Sequence, residues 1–435
     1  MVWSQLRQLN VTPCLLSWCN ERSRCLCSAV KLLFSDMRPF PVNIRVASFA
    51  LTLFVVGTFY FSSLVDWRHG SLFVVGGMLG LFLYHATFGF TSAWRVFISD
   101  RRGAALRGQM LLLGVSCVLF FPVLGSGTPL LTETVRGNVN PIGTAVIVGA
   151  FIFGVGMQIG GGCASGTLFA VGGGSLRMIV TLTSFVIGSV IGALQAPWWQ
   201  SLPQLPPVSL IESFGTLTAL AISLTALGVI SYGSRVMERR RHGRLLDLPE
   251  VIRHGWPRVF RGPWPYLAGA LGLALANFAT LALAGRPWGI TSAFALWGSK
   301  GAALIGFEPS SWTYWSSSAR QAALTGNILS DTTTVMNVGI LLGALLASGL
   351  AGRFRPAWSV PLRSLVAAII GGLLLGYGAR LAYGCNIGAY FSGVASGSVH
   401  GWLWLVSAFA GSVVGTRLRP HCGLGVERST LVGGC

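Results

Sequence analysis

The sequence predicts an all-α integral membrane protein with about ten transmembrane helices and short re-entrant segments, arranged as two inverted repeats. Hydrophobic residues make up 52% of its 435 positions and charged residues only 10%, against about a quarter in soluble domains. The apolar residues form long stretches, and about 18 or more such residues in a row can cross the roughly 30 Å hydrocarbon core as a helix. Motifs from the first half of the chain also recur in the second.

Apolar windows give ten expected spans. They lie near 44–65, 71–88, 108–125, 142–162, 175–196, 207–232, 264–284, 333–351, 364–383 and 399–416. Arginines concentrate in short loops between these spans, around 95–107, 235–261 and 353–363. Placing those loops in the cytoplasm satisfies the positive-inside rule and predicts a multi-pass protein of the cell inner membrane with both termini cytoplasmic. The formal net charge of +19 therefore reflects topology, and no nucleic-acid partner is expected.

The first 40 residues are expected to form a poorly ordered leader. Polar residues at 20–24 interrupt its apolar run, which argues against a signal peptide. Four cysteines (Cys14, Cys19, Cys25 and Cys27) crowd this segment. No histidine accompanies them and their spacing matches no zinc motif, so no metal site is expected there.

Two motifs recur along the chain. The sequence FGFTSAW at 88–94 returns as WGITSAF at 288–294. A glycine-flanked cysteine, Cys163, is followed 25 residues later by a GSVIG motif, and Cys385 is followed 26 residues later by GSVVG. A single span separates the two copies, so we expect them to be antiparallel in the membrane, an arrangement typical of transporters.

These repeats divide the chain. The expected parts are a leader (1–40), a first transmembrane helix (41–70), a first repeat (71–206), a linking helix with a basic cytoplasmic loop (207–262), a second, inverted repeat (263–418) and a C-terminal tail (419–435). The basic loop either fixes the topology or docks a cytoplasmic partner. The apolar stretch at 288–306 contains Lys300, and a full crossing there would place the arginines near 353 outside. It is therefore expected to be re-entrant and to line a cavity inside the protein.

The glycines before each cysteine have two interpretations. They permit close helix packing, or they let the helix unwind so that backbone N–H groups and a half-helix N-terminus face an anion. Their recurrence in both halves favours unwinding. A neutral thiol donates a weak hydrogen bond without adding charge, which suits a polarisable sulfur anion. The expected substrate path is lined by Gly162, Cys163, Ser165, Gly166, Gly384, Cys385, Asn386 and Gly388, with Thr91, Ser92, Thr291 and Ser292 on the re-entrant loops.

Three cations lie in or beside apolar segments. Arg380 is expected to attract anions near Cys385. Arg177 either attracts anions or marks the end of its span, and Lys300 either attracts anions or extends to the interface. The sequence has no nucleotide-binding loop, zinc motif or nucleophile with a histidine and carboxylate partner. We therefore expect no catalytic residue, no metal, no cofactor and no enzyme activity.

The motif GGGCASGT at 160–167, the motif GARLAYGCNIG at 378–388 and the sequence SVHGW at 398–402 resemble the YeeE/YedE family of sulfur-compound transporters. The likeness runs from about 71 to 418 and is strongest to the YedE branch at 88–95, 153–174 and 287–300. The resemblance implies thiosulfate uptake, with the anion relayed between Cys163 and Cys385 at the waist of an hourglass-shaped protein.

The resemblance carries three further implications. Thiosulfate-carrying relatives use a third cysteine, where the two Thr-Ser-Ala loops of this chain offer Phe90 and Ile290. The YedE branch is linked to selenium compounds, which makes a selenium compound the alternative substrate. Family members often work with a soluble sulfur carrier of the TusA type, which would be a separate chain because no Cys-Pro-x-Pro motif occurs here.

An intramembrane redox or sulfur-transfer enzyme acting through both thiols is the alternative from another class.

Overall fold

The computed structural model describes residues 41–246, 256–356 and 359–427. The expected leader at 1–40 and the end of the tail at 428–435 lie outside these ranges. In the first part of the chain the helices are α1 (Ile44–Leu64), α2 (Trp67–His85), α3 (Phe90–Asp100), α4 (Ala104–Ser126), α5 (Thr144–Gly160), α6 (Ala164–Gly172), α7 (Leu176–Leu194), α8 (Ala196–Gln200) and α9 (Leu210–Phe214). A two-residue ladder pairs β1 (Ile142–Gly143) with β2 (Gln204–Leu205).

The second part of the chain is also helical. Its helices are α10 (Thr216–His242), α11 (Trp256–Arg261), α12 (Tyr266–Ala284), α13 (Thr291–Leu304), α14 (Ser318–Thr325), α15 (Thr332–Leu350), α16 (Leu362–Leu381), α17 (Ser392–Ala395) and α18 (Val399–Leu418). A π-helix (Asn386–Phe391) precedes α17, and 3-10 turns occupy Pro309–Ser311, Thr313–Trp315, Ile328–Ser330 and Arg419–Cys422.

Ten helical segments in the described residues are long and apolar enough to cross a membrane. Each overlaps one of the ten predicted spans, which confirms an all-α, multi-pass membrane protein. One predicted span is displaced. The stretch 207–232 was expected to cross, but Gly215, at φ +78°, separates the short α9 from α10, which runs from Thr216 to His242. The crossing helix therefore begins later and extends into the basic loop.

The segment around Lys300 does not provide a further crossing. Its helix α13 has 14 residues, fewer than the about 20 that a spanning helix needs. The chain continues through short turns at 309–330 before α15 begins. This agrees with the expectation of a segment that does not traverse the membrane.

Both cysteine-containing segments are broken helices, as the glycine pattern predicted. α5 ends at Gly160, Gly161 takes φ +88°, and α6 begins at Ala164. α16 ends at Leu381, and after Tyr383 (φ +56°) and Gly384 (φ +150°) the chain enters the π-helix. Gly384 has a conformation that other residues rarely adopt, which explains the glycine there.

Other glycines serve helix packing, so the glycine runs contain both packing positions and the positions at which the helices break. A Cβ on Gly156 would lie 3.0 Å from the Gly371 carbonyl oxygen, and one on Gly378 would lie 2.5 Å from the Gly149 oxygen. These glycines bring α5 and α16 into backbone contact at the centre of the bundle.

The packing partners of the two halves correspond. α5 and α16 are the helices before the two cysteines, and α7 and α18 are the long helices after them. α16 packs along α7 of the other half, and α5 packs along α18 of the other half. In the same way α13 contacts α7 while α3 contacts α18, and α6 contacts α15 while α17 contacts α4. A two-fold repeat produces such exchanges. The inverted orientation of the two halves in a membrane stays a prediction.

Candidate functional site at the two cysteine loops

Each break places a cysteine at the start of the helix that follows it. Cys163 is the N-cap of α6, and Cys385 is the N-cap of the π-helix. Both side chains are buried, at 1% and 0% exposure. The two helices that begin at these cysteines, α6 and the π-helix, contact each other, and both thiols belong to one buried cluster. The structure thus brings together one cysteine from each half in the interior of the bundle.

Hydroxyl groups surround the first thiol. The Ser165 oxygen lies 3.4 Å from the Cys163 sulfur. The Thr91 hydroxyl, from the first Thr-Ser-Ala motif, lies beside the same sulfur and has no well-formed hydrogen bond among the described residues. A cluster of neutral donors can bind an anion weakly enough for it to leave again.

The second thiol has a different surrounding. Its sulfur accepts a hydrogen bond from the Ile387 backbone N–H at 3.4 Å. The next residue, Asn386, is fully buried, and neither atom of its side-chain amide has a partner among the described residues. Leaving a buried amide unpaired costs about 1–3 kcal/mol for each group. Such a residue next to Cys385 is therefore suited to a polar ligand or water.

A glycine three residues after each cysteine leaves open space. A Cβ built on Gly388 would meet no atom within 4 Å, and one built on Gly166 would meet only the Cys163 sulfur, at 3.5 Å. Both glycines are partly exposed, although the neighbouring cysteines are buried. Each cysteine helix therefore has a position beside its thiol that could hold a Cβ without a clash and is left unfilled.

Comparison with known proteins identifies the family. The family described as Sulphur transport matches residues 85–414. The chain belongs to the Sulphur transport family. This match confirms the resemblance to sulfur-compound transporters seen in the cysteine motifs, and it spans both cysteine loops.

Relatives in this family are transporters by name. "Probable transporter YedE" of Escherichia coli (strain K12) is 30% identical over 168 residues, which cover 39% of this chain and 40% of that protein. "Thiosulfate transporter TsuA" of Spirochaeta thermophila is 27% identical over 335 residues, covering 76% and 92%, and its Escherichia coli namesake is 24% identical over 351 residues, covering 78% and 91%. The chain thus aligns with about 40% of the length of YedE and with most of TsuA.

In this member of the Sulphur transport family, Arg380 connects the second cysteine helix to α13 and to the 3-10 turn at Thr313–Trp315. Its guanidinium donates to the Thr291 hydroxyl at 2.5 Å and to the Tyr314 hydroxyl at 2.6 Å, while its Nε has no hydrogen-bond partner in the described part of the chain. Arg380, the cation expected near Cys385, is thus half-buried and held by two hydroxyl groups.

The other two predicted cations hold backbone carbonyls. Arg177 donates to the Gly160 oxygen at 2.7 Å and to the Ile159 oxygen at 3.0 Å, satisfying the orphan carbonyls at the end of α5. Lys300 donates to the Leu324 and Gly326 oxygens, both at 2.7 Å. These contacts give both side chains a structural role in the folded chain.

The glycines before the cysteines and the serines of the Thr-Ser-Ala motifs are also placed. Gly162 and Gly384 are buried, and a Cβ on Gly162 would lie 3.3 Å from the backbone of Gly166. Ser92 bonds locally to the Gly89 oxygen at 3.2 Å, and Ser292 contacts the Thr333 hydroxyl at 3.1 Å. The two threonines of these motifs, rather than the serines, reach the cysteine helices.

Sequence reasoning missed Gln158. It lies five residues before Cys163, as Arg380 lies five before Cys385, and its amide donates to the Thr91 backbone oxygen at 3.3 Å. It is fully buried, and its own oxygen has no partner in the described residues. Aligning the two halves at their cysteines would have paired it with Arg380.

With a one-residue gap, the same alignment pairs His400 with Arg177. His400 lies 15 residues after Cys385 and Arg177 lies 14 after Cys163. The His400 imidazole contacts the Ala382 oxygen at 3.1 Å, at the end of α16, just as Arg177 caps the end of α5. The end of each broken helix is therefore held by a side chain from the first turn of the long helix that follows the break in the same half, Arg177 on α7 and His400 on α18.

Proposed function

We propose that this chain is a permease that imports a sulfur-containing anion, thiosulfate first, by passing it between Cys163 and Cys385. The observation that carries the proposal is that the broken helix of each half delivers a buried cysteine to the same region, each beside an open glycine position. The family and the names of the TsuA relatives support the substrate class.

The passage needs no covalent step. Each thiol donates a weak S–H hydrogen bond to the anion, and the hydroxyls of Thr91 and Ser165 add neutral donors near Cys163. The Arg380 guanidinium supplies positive charge near Cys385. Moderate binding at two successive sites allows an ion to enter and leave.

The orientation follows the positive-inside rule. The two halves are inverted repeats in the inner membrane with cytoplasmic termini, so Cys385 and Arg380 lie on the external branch of the path and Cys163 on the cytoplasmic branch. The exchanged packing partners of the two halves support this arrangement. An ion gradient, the membrane potential or consumption of the anion inside supplies the driving force, and a separate TusA-type sulfur carrier is the proposed recipient.

Uptake of ³⁵S-labelled thiosulfate into vesicles holding the purified protein tests the proposal. Cys163→Ala and Cys385→Ala should each lower uptake about two- to fivefold, because a weak S–H hydrogen bond is worth about 0.5–1 kcal/mol. Cys117→Ala is the matched control, since Cys117 is equally buried and makes only a 3.6 Å contact with the Val394 oxygen. Wild-type uptake by both of the first two variants would refute the passage between thiols.

Two additions separate the alternatives in the same assay. Competition by unlabelled selenosulfate that exceeds competition by unlabelled thiosulfate would assign the chain to selenium compounds. Mass spectrometry of the protein under turnover should show both cysteines unmodified. A persulfide or disulfide that forms and disappears with substrate would instead support a thiol enzyme.

A further inference from the structure

A groove on the outside of the helix bundle is separate from the cysteine loops. It lies between α4, α10 and α12 and has a volume of about 690 Å³. Its walls are mainly aliphatic, with Val115, Leu224 and Gly228 among them, and one end carries Arg107 and Arg235. The groove is therefore apolar along most of its length and basic at one end.

The length of the groove matches one leaflet of a bilayer. On α10 it extends from Leu224 to Arg235, and 11 residues of helix measure about 16 Å. The hydrocarbon core is about 30 Å thick, so the groove covers about half of it. The arginine end coincides with the start of α4, the end of α10 and the start of α12. All three of these helix ends adjoin loops of the basic, positive-inside face.

The charge at this end is not balanced by the protein. Arg107 is paired with the buried Glu238 at 2.6 Å. Arg235 is exposed and makes no ion pair within the described residues, and Arg239, one turn further along α10, is also exposed. An unpaired guanidinium at the polar end of an apolar groove complements a phosphate group attached to an acyl chain.

We propose that this groove binds one anionic phospholipid, with an acyl chain along α4 and α10 and the headgroup phosphate at Arg235. The apolar walls recognise the chain. The arginine distinguishes an anionic headgroup from a zwitterionic one.

Thermal shift and native mass spectrometry of the detergent-purified full chain test the headgroup. Phosphatidylglycerol should bind about fivefold more tightly than phosphatidylcholine with the same acyl chains, the value of one arginine near an anionic surface. Arg235→Gln should abolish that preference. Inorganic phosphate alone should produce no shift. Equal binding of the two lipids by the wild-type chain, or an equal shift with phosphate alone, would overturn the proposal.

A steric variant tests the acyl-chain site. A Cβ on Gly228 meets no atom within 4 Å, so Gly228→Leu should fold normally, fill the groove and lose binding of both lipids. Gly233→Leu is the matched control, because Gly233 lies on the same helix, is equally free of neighbours and does not line the groove. Unchanged lipid binding by Gly228→Leu contradicts the proposal. Loss of self-association in place of lipid binding would assign the groove to a second copy of the chain.

Discussion

The two cysteine loops share one scaffold and differ in where the positive charge lies. In the first loop the cation is Arg177, which follows the break, and the side chain before the break is the neutral Gln158. In the second loop the cation is Arg380, which precedes the break, and His400 follows it. Each loop thus has one guanidinium, at exchanged positions.

This exchange gives the two thiols different electrostatic surroundings. Arg177 is occupied by the carbonyls at the end of α5, whereas Arg380 lies within electrostatic range of the Cys385 thiol. Hydroxyls and backbone amides surround Cys163. Under the proposed function, Arg380 attracts the anion towards Cys385, and Cys163 accepts it without a strong charge to retain it.

The open glycine positions test what the two loops share. Gly388→Leu and Gly166→Leu should each abolish nearly all thiosulfate uptake, because the new side chains occupy the space beside the thiols. Their melting temperatures should stay close to wild type, since little or nothing lies within 4 Å of either new Cβ. Gly233→Leu serves again as the control. Uptake in both loop variants equal to that of this control would contradict the placement of the path.

Arg380 can be replaced by glutamine, the residue at the corresponding position of the first loop (Gln158), to test how the two loops differ. Arg380→Gln should raise the KM for thiosulfate roughly tenfold, because the focusing charge is lost, and Arg380→Lys should be intermediate, because it keeps the charge but not the fork geometry. Arg320→Gln removes an exposed arginine that bonds the Tyr314 backbone and should change KM little. An unchanged KM in Arg380→Gln would show that the two loops are electrostatically equivalent.

The cation of the first loop should act on stability instead. Arg177→Met leaves the carbonyls of Ile159 and Gly160 without a major donor, and we expect a loss of about 1–3 kcal/mol. Denaturant unfolding in detergent measures it. Uptake per folded molecule should keep the wild-type KM, and a rise like that of Arg380→Gln would contradict the assignment.

The smallest effect concerns how the two Thr-Ser-Ala helices are anchored. α3 is tied to the C-terminal segment by Arg95, whose guanidinium hydrogen-bonds to Glu427 and holds the pKa of that carboxyl below its usual range, whereas α13 is held by Lys300. The stabilisation is present above the unfolded pKa of about 4.5 and is lost as pH falls through the lower folded value.

Glu427→Gln should therefore lower stability at pH 7 by less than about 1 kcal/mol, because the carboxylate is 41% exposed and exposed ion pairs contribute little. The difference from wild type should disappear in acid below the folded pKa. Melting curves recorded across pH measure the stability difference at pH 7 and its loss in acid. A difference that grew in acid would contradict the lowered pKa of Glu427.

The sequence predicted the crossing helices and both helix breaks, because hydrophobic length and paired glycine-cysteine motifs are local properties. It did not predict the start of α10, because the residues around Gly215 are apolar enough on average for a hydrophobic window to run through the break despite Glu212. Nor did it assign partners to Arg177 and Lys300. The carbonyl groups that these side chains bind belong to other segments, which reach them only in the folded structure. Gln158 could have been found from its position relative to Cys163.

Binding of a heavy-atom analogue tests the central claim most directly. A structure of the wild-type chain with selenosulfate, solved with anomalous scattering from selenium, should place the anion in contact with the sulfur of Cys163 or Cys385 and beside Gly166 or Gly388. Selenium bound well away from both thiols, with no anion density beside Cys163 or Cys385, would contradict the account.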